Sequence, residues 1–495
     1  MSGLPGRMRG LAQELRSLPT VVLLLCCLFV GLPLAAAATP DRHVAIAGQD
    51  IAVGARVPGP TLSGPAQLVQ LGNTRFDLSA IQVWGPLRPQ LSLGPLQRND
   101  AAAAAVEPDT LSSSGSAAMN TLIQGFLTWY LWATCSVVIF AVAVTAIIAC
   151  GRIVVTLRRK GSAPTPSDLS EVSRTLSATI GRMAVLAIAV SLLGWAASGV
   201  AAYQGTVEGL RGVGSLSDLV GTSEITPSPV GPPLFGYAGA VIGDSRVARV
   251  GGPPLPEATA DDIACERSAD SPAAALARIR GEKVLNLACS GASIAAGLRG
   301  PQQRGDTEIA PQIGRLKQVR GLDWVAVAIG PNDVNWSDFL LYCYGLPTCD
   351  DQLSAGEFDL RMAGFDRDWA ALLADLADLP GHPRIVVITS YDAFPANPPP
   401  ACPDLLGPAG TPGLDPTKVA LLADRNSQLN DVLETGARQY GFAIARPALT
   451  PLCGGPSPLL GPDLQGLAGP HPFHPTAVGS LRLAASVANV IGPPS

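Results

Sequence analysis

Four short blocks of this chain carry the residue types that acyl chemistry needs. The run GAVIGDSRVARV, 239–250, is apolar up to Gly243-Asp244-Ser245, where a glycine, an acid and a hydroxyl follow one another. A serine hydroxyl is a weak nucleophile until a base takes its proton. At neutral pH the fitting base is histidine. The candidates are His43, His382, His471 and His474. His43 lies in a separate N-terminal segment. His382 precedes Pro383-Arg384 at the start of an expected strand, the wrong end for a site. That leaves HPFHPTAVG, 471–479, with His474 in the loop before the last expected helix. Donors for a developing oxyanion come from three places: Asn332 in IGPNDV, the amide of Gly291 in CSGAS, and the amide of Ser245 itself. One nucleophile, one base and three donors suffice for acyl transfer.

Each block alone is ordinary. Asp-Ser is a common helix-cap pair, Gly-x-Asn-Asp is a usual turn after a strand, and a histidine before proline can be merely structural. Their joint placement gives them weight. Apolar runs at 237–244, 283–291, 323–330, 384–392 and 440–447 read as strands, with helical stretches expected at 307–320, 359–379, 416–439 and 475–491. Alternating strands and helices predict an α/β/α sandwich around a mostly parallel five-stranded sheet. Ligands in such folds sit beyond the carboxyl ends of the strands. Asp244-Ser245, Ser290-Gly291, Asn332-Asp333 and Tyr391-Asp392 all fall there.

The rest of the chain points to a membrane. Hydrophobic residues make up 47% and charged residues only 15% of 495 residues, against about 25% charged in soluble domains. Three apolar runs stand out, at 19–39, 126–150 and 183–203. The second is uncharged and long enough to cross a hydrocarbon core of about 30 Å. The first follows Arg7, Arg9 and Arg16 and ends in small residues, as a cleavable signal peptide or an uncleaved anchor does. Basic residues crowd the segment between the other two runs, which places 151–182 on the cytoplasmic side. The expected organisation is therefore a signal peptide or signal anchor over 1–39, a small exterior, all-β unit over 40–100, and a linker over 101–125. A transmembrane helix over 126–150, the cytoplasmic loop 151–182, a second transmembrane helix over 183–203 and a linker over 204–234 follow. An exterior catalytic domain spans 235–495.

Cysteine placement agrees with that topology. Cys265, Cys289, Cys343, Cys349, Cys402 and Cys453 all follow the last apolar run, and an even exterior set suits disulfides. No short Cys-x-x-Cys occurs, and no cysteine or carboxylate pair adjoins His471 and His474, so no metal or other cofactor is expected. The formal net charge of −5, with no basic tract, argues against nucleic acid as a partner.

The blocks Gly243-Asp244-Ser245, Gly291 in NLACSGAS, Gly330-Pro331-Asn332-Asp333 and His474-Pro475, in that order, resemble the SGNH, or GDSL, hydrolase family over about 240–488. CERSADSPAAALA, 265–277, is similar to its secreted actinobacterial lipase-esterase branch. The resemblance implies Ser245 as nucleophile, His474 as base, and the Ser245 and Gly291 amides with the Asn332 side chain as oxyanion hole. It also implies the bridges Cys265–Cys289, Cys343–Cys349 and Cys402–Cys453. The family commonly places Asp three residues before its histidine. Here that position is His471, so a backbone carbonyl or Asp463 is left to orient His474. Asp244 and Asp333 are expected to support their loops. Arg246, next to the nucleophile, either favours anionic substrates or faces solvent.

These readings converge on a membrane-anchored esterase or lipase outside the cytoplasm, acting beside the bilayer on an ester-bearing lipid or acylated envelope substrate. Transfer of the acyl group to a wall or lipid alcohol uses the same apparatus. A non-catalytic binding or assembly role, motivated by the missing acid at 471, is the reading from another class.

Overall fold

The computed structural model describes residues 14, 17–46, 48–56, 63–71, 74–93, 111–159, 166–211, 225–407, 409–454 and 461–493. The chain divides into two compact units, Met1–Gly221 and Thr222–Ser495.

The first unit holds three helices long and apolar enough to cross a membrane: the spans are Leu18–Ala38, Asn120–Arg158 and Leu176–Thr206. We label the helices α1 (Leu18–Ala38), α2 (Leu111–Arg159) and α3 (Pro166–Arg211). α1 contains a π-helical turn at Cys27–Gly31. Its Leu32, Ala35 and Ala36 are buried with Trp129, Ala133, Val137 and Trp195, and the Tyr130 hydroxyl donates to the carbonyl of Trp195 at 2.9 Å. Five strands, β1 (Arg42–Ile46), β2 (Gln49–Ala55), β3 (Ser63–Leu71), β4 (Thr74–Trp84) and β5 (Pro89–Leu93), form one sheet in the order β1-β2-β5-β3-β4. The N-terminal region is not purely β, however. β1 packs on α2 and β4 on α3, because so small a sheet needs another element to cover a face. Residues 111–125, within the expected linker, are the first turns of α2. The linker residues 101–110 and 212–224 and the loop residues 160–165 lie outside the described residues.

The second unit is built on β6 (Gly239–Gly243), β7 (Val284–Asn286), β10 (Trp324–Ala328), β11 (Arg384–Ile388) and β12 (Ala443–Ala445), with a separate hairpin of β8 (Gln302–Arg304) and β9 (Thr307–Ile309). The sheet order is β12-β11-β10-β6-β7, and every neighbouring pair is parallel. Buried on both faces, its central strands read as continuous apolar runs. Ile242, Val325, Val327, Ile385 and Val387 pack on one face with Trp369 and Leu429. Val241, Ala326, Ala328, Val386 and Ile388 pack on the other with Leu276, Leu483 and Val487. The helices that supply these partners are α5 (Pro272–Arg280), α6 (Gln352–Ala377), α7 (Pro416–Gln439) and α8 (Ala477–Ile491), after the one-turn α4 (Ser245–Ala248). One expected helix is corrected. Residues 307–309 form β9, because Gly305 in the left-handed region turns the chain back onto β8, and only Gln312–Leu316 is helical.

The order of strands reverses at β6: the chain steps outward to β7 on one side, then crosses back to β10 on the other and continues outward to β11 and β12. That is the topological switch point, where the strand ends open a crevice. Ser245 follows β6 and Asn332 follows β10.

Candidate active site

The turn that carries Ser245 is set by Gly243. Its φ is 139°, and a Cβ there would run into the carbonyl oxygen of Ala328 on the neighbouring strand, so only glycine lets β6 end this close to β10. Gln312, buried, grips the same residue from both sides. The Gly243 amide donates to Gln312 Oε1 at 2.8 Å and Gln312 Nε2 donates to the Gly243 carbonyl at 3.0 Å. Asp244 caps α4 by accepting from the Arg246 amide at 2.9 Å. Its carboxylate also takes the Arg246 guanidinium, 2.8 Å from Nη2 to Oδ2, with both side chains buried. Arg246 therefore neither faces solvent nor stands free for an anionic substrate; its charge is neutralised within the turn.

Ser245 begins α4. Its Oγ lies 2.9 Å from Nε2 of His474, across 229 residues of sequence. The other ring nitrogen, Nδ1, is 3.0 Å from the carbonyl oxygen of Pro472. A carbonyl only accepts, so Nδ1 carries the proton and Nε2 is left as the acceptor for the serine hydroxyl. Burial pushes the His474 pKa below the usual histidine value, and the Pro472 hydrogen bond offsets this in part. His471 is edge-on to His474 with ring centroids 6.4 Å apart. Asp463 is committed elsewhere: it accepts from the Thr450 amide at 2.6 Å and pairs with Arg482 at 2.9 Å.

The donor loops are stitched together. Asn332 Nδ2 donates to the Ala292 carbonyl at 2.8 Å, and the Ile294 amide donates to Asp333 Oδ1 at 2.8 Å. The turn after β10 and the loop bearing Gly291 are thus joined by two hydrogen bonds. Among the described residues, the amides of Ser245 and Gly291 make no hydrogen bond. Asp333 is half-buried, but its Oδ2 is out of contact with solvent and has no partner, and burial raises its carboxyl well above the ordinary value.

Six cysteines form three bridges, Cys265–Cys289, Cys343–Cys349 and Cys402–Cys453. The first ties the segment after α4 to the Gly291 loop, and the Ser290 amide also donates to the Cys265 carbonyl at 3.1 Å. Asp404 lies near Cys402 and Cys453, but sulfurs joined to each other are not thiolate ligands.

Sequence reasoning missed Gln312 and Gln465; of the two expected orienters of His474 it is a backbone carbonyl, that of Pro472, that faces Nδ1. Gln465 Nε2 donates to the carbonyls of Val250, at 3.3 Å, and Pro475, at 3.5 Å, joining the end of the serine turn to the histidine loop. Nothing in the local sequence marks either glutamine for this role.

Fold and strand-end blocks together define an α/β hydrolase domain of the SGNH type. Residues 241–481 match the profile of the GDSL-like Lipase/Acylhydrolase family, and this domain belongs to that family, whose members are ester hydrolases. Among solved structures the chain is similar to an extracellular lipase from Streptomyces rimosus, at 20% identity over 51% of this chain and 98% of that one, with a TM-score of 0.39. It is also similar to phospholipase A1 from Streptomyces albidoflavus, at 19% identity over 51% and 100%, with a TM-score of 0.39. A carbohydrate acetylesterase from Sinorhizobium meliloti is similar at 15% identity over 51% and 96%, with a TM-score of 0.28. No curated protein matches the chain.

Proposed function

We propose that this protein is a membrane-anchored serine esterase whose catalytic domain works outside the cytoplasm on carboxylic esters of a lipid or acylated envelope component. The observation that carries the reading is the contact between Ser245 Oγ and His474 Nε2 at 2.9 Å, with Nδ1 turned to a carbonyl. Ser245 attacks the ester carbonyl while His474 takes its proton. The amides of Ser245 and Gly291 and the Asn332 side chain receive the negative charge that develops on the carbonyl oxygen. His474 then returns the proton to the leaving alcohol. Water, activated by the same imidazole, releases the acid and frees the serine.

The exterior placement rests on two physical arguments. Disulfides persist in oxidising compartments, and all three bridges lie in the catalytic unit. Basic residues between the second and third apolar spans favour a cytoplasmic turn there, which puts the segments beyond both spans on the other side. The domain boundaries read from sequence follow from the same topology.

The test is hydrolysis of short acyl esters by the full chain in detergent. Ser245→Ala and His474→Ala should each lose at least about a thousandfold in kcat/KM. Near-normal turnover by Ser245→Ala would reject the mechanism. A fluorophosphonate should label wild type at Ser245; folded protein that resists labelling would favour the binding role instead.

A further inference from the structure

Tyr391 belongs to no step above, yet it stands half-buried beside the site. It follows β11, at the same rim of the sheet as Ser245 and Asn332. Its backbone is held on the N-terminal side, where the Ser390 amide donates to Asn430 Oδ1 at 2.8 Å and Asn430 Nδ2 donates back to the Ser390 carbonyl at 3.1 Å. From this fixed base the hydroxyl reaches across the site and donates to the Phe473 carbonyl at 3.1 Å. Burial raises its pKa, so the hydroxyl stays protonated and able to donate. The charged groups around it, Asp244 and Arg246, are paired with each other.

Phe473 immediately precedes His474, and its φ is 67°, a left-handed conformation that non-glycine residues seldom adopt. Its ring is committed to the core, 5.7 Å from Phe394 and 6.4 Å from Tyr344 by ring centroids. The backbone around it is pinned as well: the Phe473 amide donates to the Gln465 carbonyl and the Gln465 amide to the His474 carbonyl, both at 2.8 Å. The Phe473 carbonyl is the remaining backbone group at this strained turn, and Tyr391 is its partner. Such strain persists only where surrounding contacts over-determine it.

We propose that Tyr391 is a positioning residue for the histidine base: its hydroxyl holds the Phe473 peptide, and so the His474 ring, in line with Ser245. This rests on the reading of Ser245 and His474 as nucleophile and base. Because the hydroxyl touches neither the serine nor the imidazole, its loss should slow chemistry and spare substrate binding. A displacement near 1 Å at a catalytic group can cost about a hundredfold.

The experiment compares wild type, Tyr391→Phe and Ser245→Ala as full chains in detergent, by steady-state hydrolysis and by the rate of fluorophosphonate labelling at Ser245. Tyr391→Phe should lower kcat about tenfold to a hundredfold, leave KM within about twofold, and slow labelling by a similar factor. The labelling end-point counts folded sites, so a rate per folded site is readable even if part of the variant is lost. Wild-type kcat and labelling rate in Tyr391→Phe, or a raised KM at unchanged kcat, would overturn the inference. If Ser245→Ala remains active, the mechanism itself fails, whatever Tyr391→Phe does.

Discussion

His474 Nδ1 faces the carbonyl of Pro472 at 3.0 Å, not a carboxylate. This neutral contact selects the tautomer that leaves Nε2 free for Ser245, but adds no negative charge to steady an imidazolium. Burial lowers the His474 pKa, and the Pro472 contact offsets this only in part. The base must be neutral to act, so the depressed value extends activity toward acid. The acid limb of kcat/KM should lie below the usual histidine pKa of about 6.5. A pH–rate profile with its half-point well above that value would contradict the assignment. His471→Ala, removing a ring that makes no hydrogen bond to the base, should change kcat by less than about tenfold.

Asp333 offers a second pH-dependent test, this time of stability. Its folded-state pKa is raised by burial, with the charges of Asp368 and Asp244 also pushing upward. A raised carboxyl holds its proton in the folded state while the unfolded chain releases it. Stability from this group is therefore full below the unfolded value of 3.8 and is lost as pH rises from there toward the folded pKa. Asp333→Asn keeps an oxygen for the Ile294 amide and cannot ionise. Relative to wild type, its Tm should improve as pH rises above about 4. A Tm difference independent of pH would show that Asp333 is not protonated in the fold.

Gln312 holds both backbone groups of Gly243. Removing its amide leaves a buried donor without its acceptor, and strips a carbonyl of one of its two donors, since the Cys289 amide also reaches the Gly243 oxygen. Each unsatisfied buried group costs about 1–3 kcal/mol. Gln312→Ala should therefore lose about 2–4 kcal/mol in chemical denaturation and also slow labelling of Ser245. A loss under about 0.5 kcal/mol would mean that the strand end is held by the glycine alone.

The alanine run at the end of α1 bears on processing. Ala35 and Ala36 are buried against Trp129 and Val137, next to Trp195. Small residues let helices approach closely in a membrane, which accounts for the same residues that suggest a cleavage site in the bare sequence. A helix packed this way should be retained. Intact mass of the purified protein should include residues 18–38, and a mature N-terminus near residue 39 would refute this.

The candidate site was legible where side-chain chemistry meets strand periodicity. Ser245, Gly291, Asn332 and His474 could be singled out because each follows an apolar run or precedes a helix, and the five strands fall where those runs do. Supporting groups were not legible. A backbone carbonyl such as that of Pro472 has no residue type to betray it. Gln312 and Gln465 act through distances closed only by the fold, and Tyr391 appeared merely as one polar residue at a strand end. Arg246 was misjudged because adjacency in sequence to a nucleophile says nothing of which way the first turn of a helix directs a side chain. The expected helix at 307–320 failed for a local reason: Gly305 reverses the chain before helix can begin.

The bridge from Cys265 to Cys289 ends two residues before Gly291 and anchors the loop whose amide we propose as an oxyanion donor. In a reducing compartment that tether would be open and the loop less well ordered. A newly made chain would then be a poor catalyst until its exported half met an oxidant, sparing the cell's own esters in the interval. Hydrolysis by the purified protein should fall on treatment with dithiothreitol and return on reoxidation; indifference to the reductant would rule out such a safeguard.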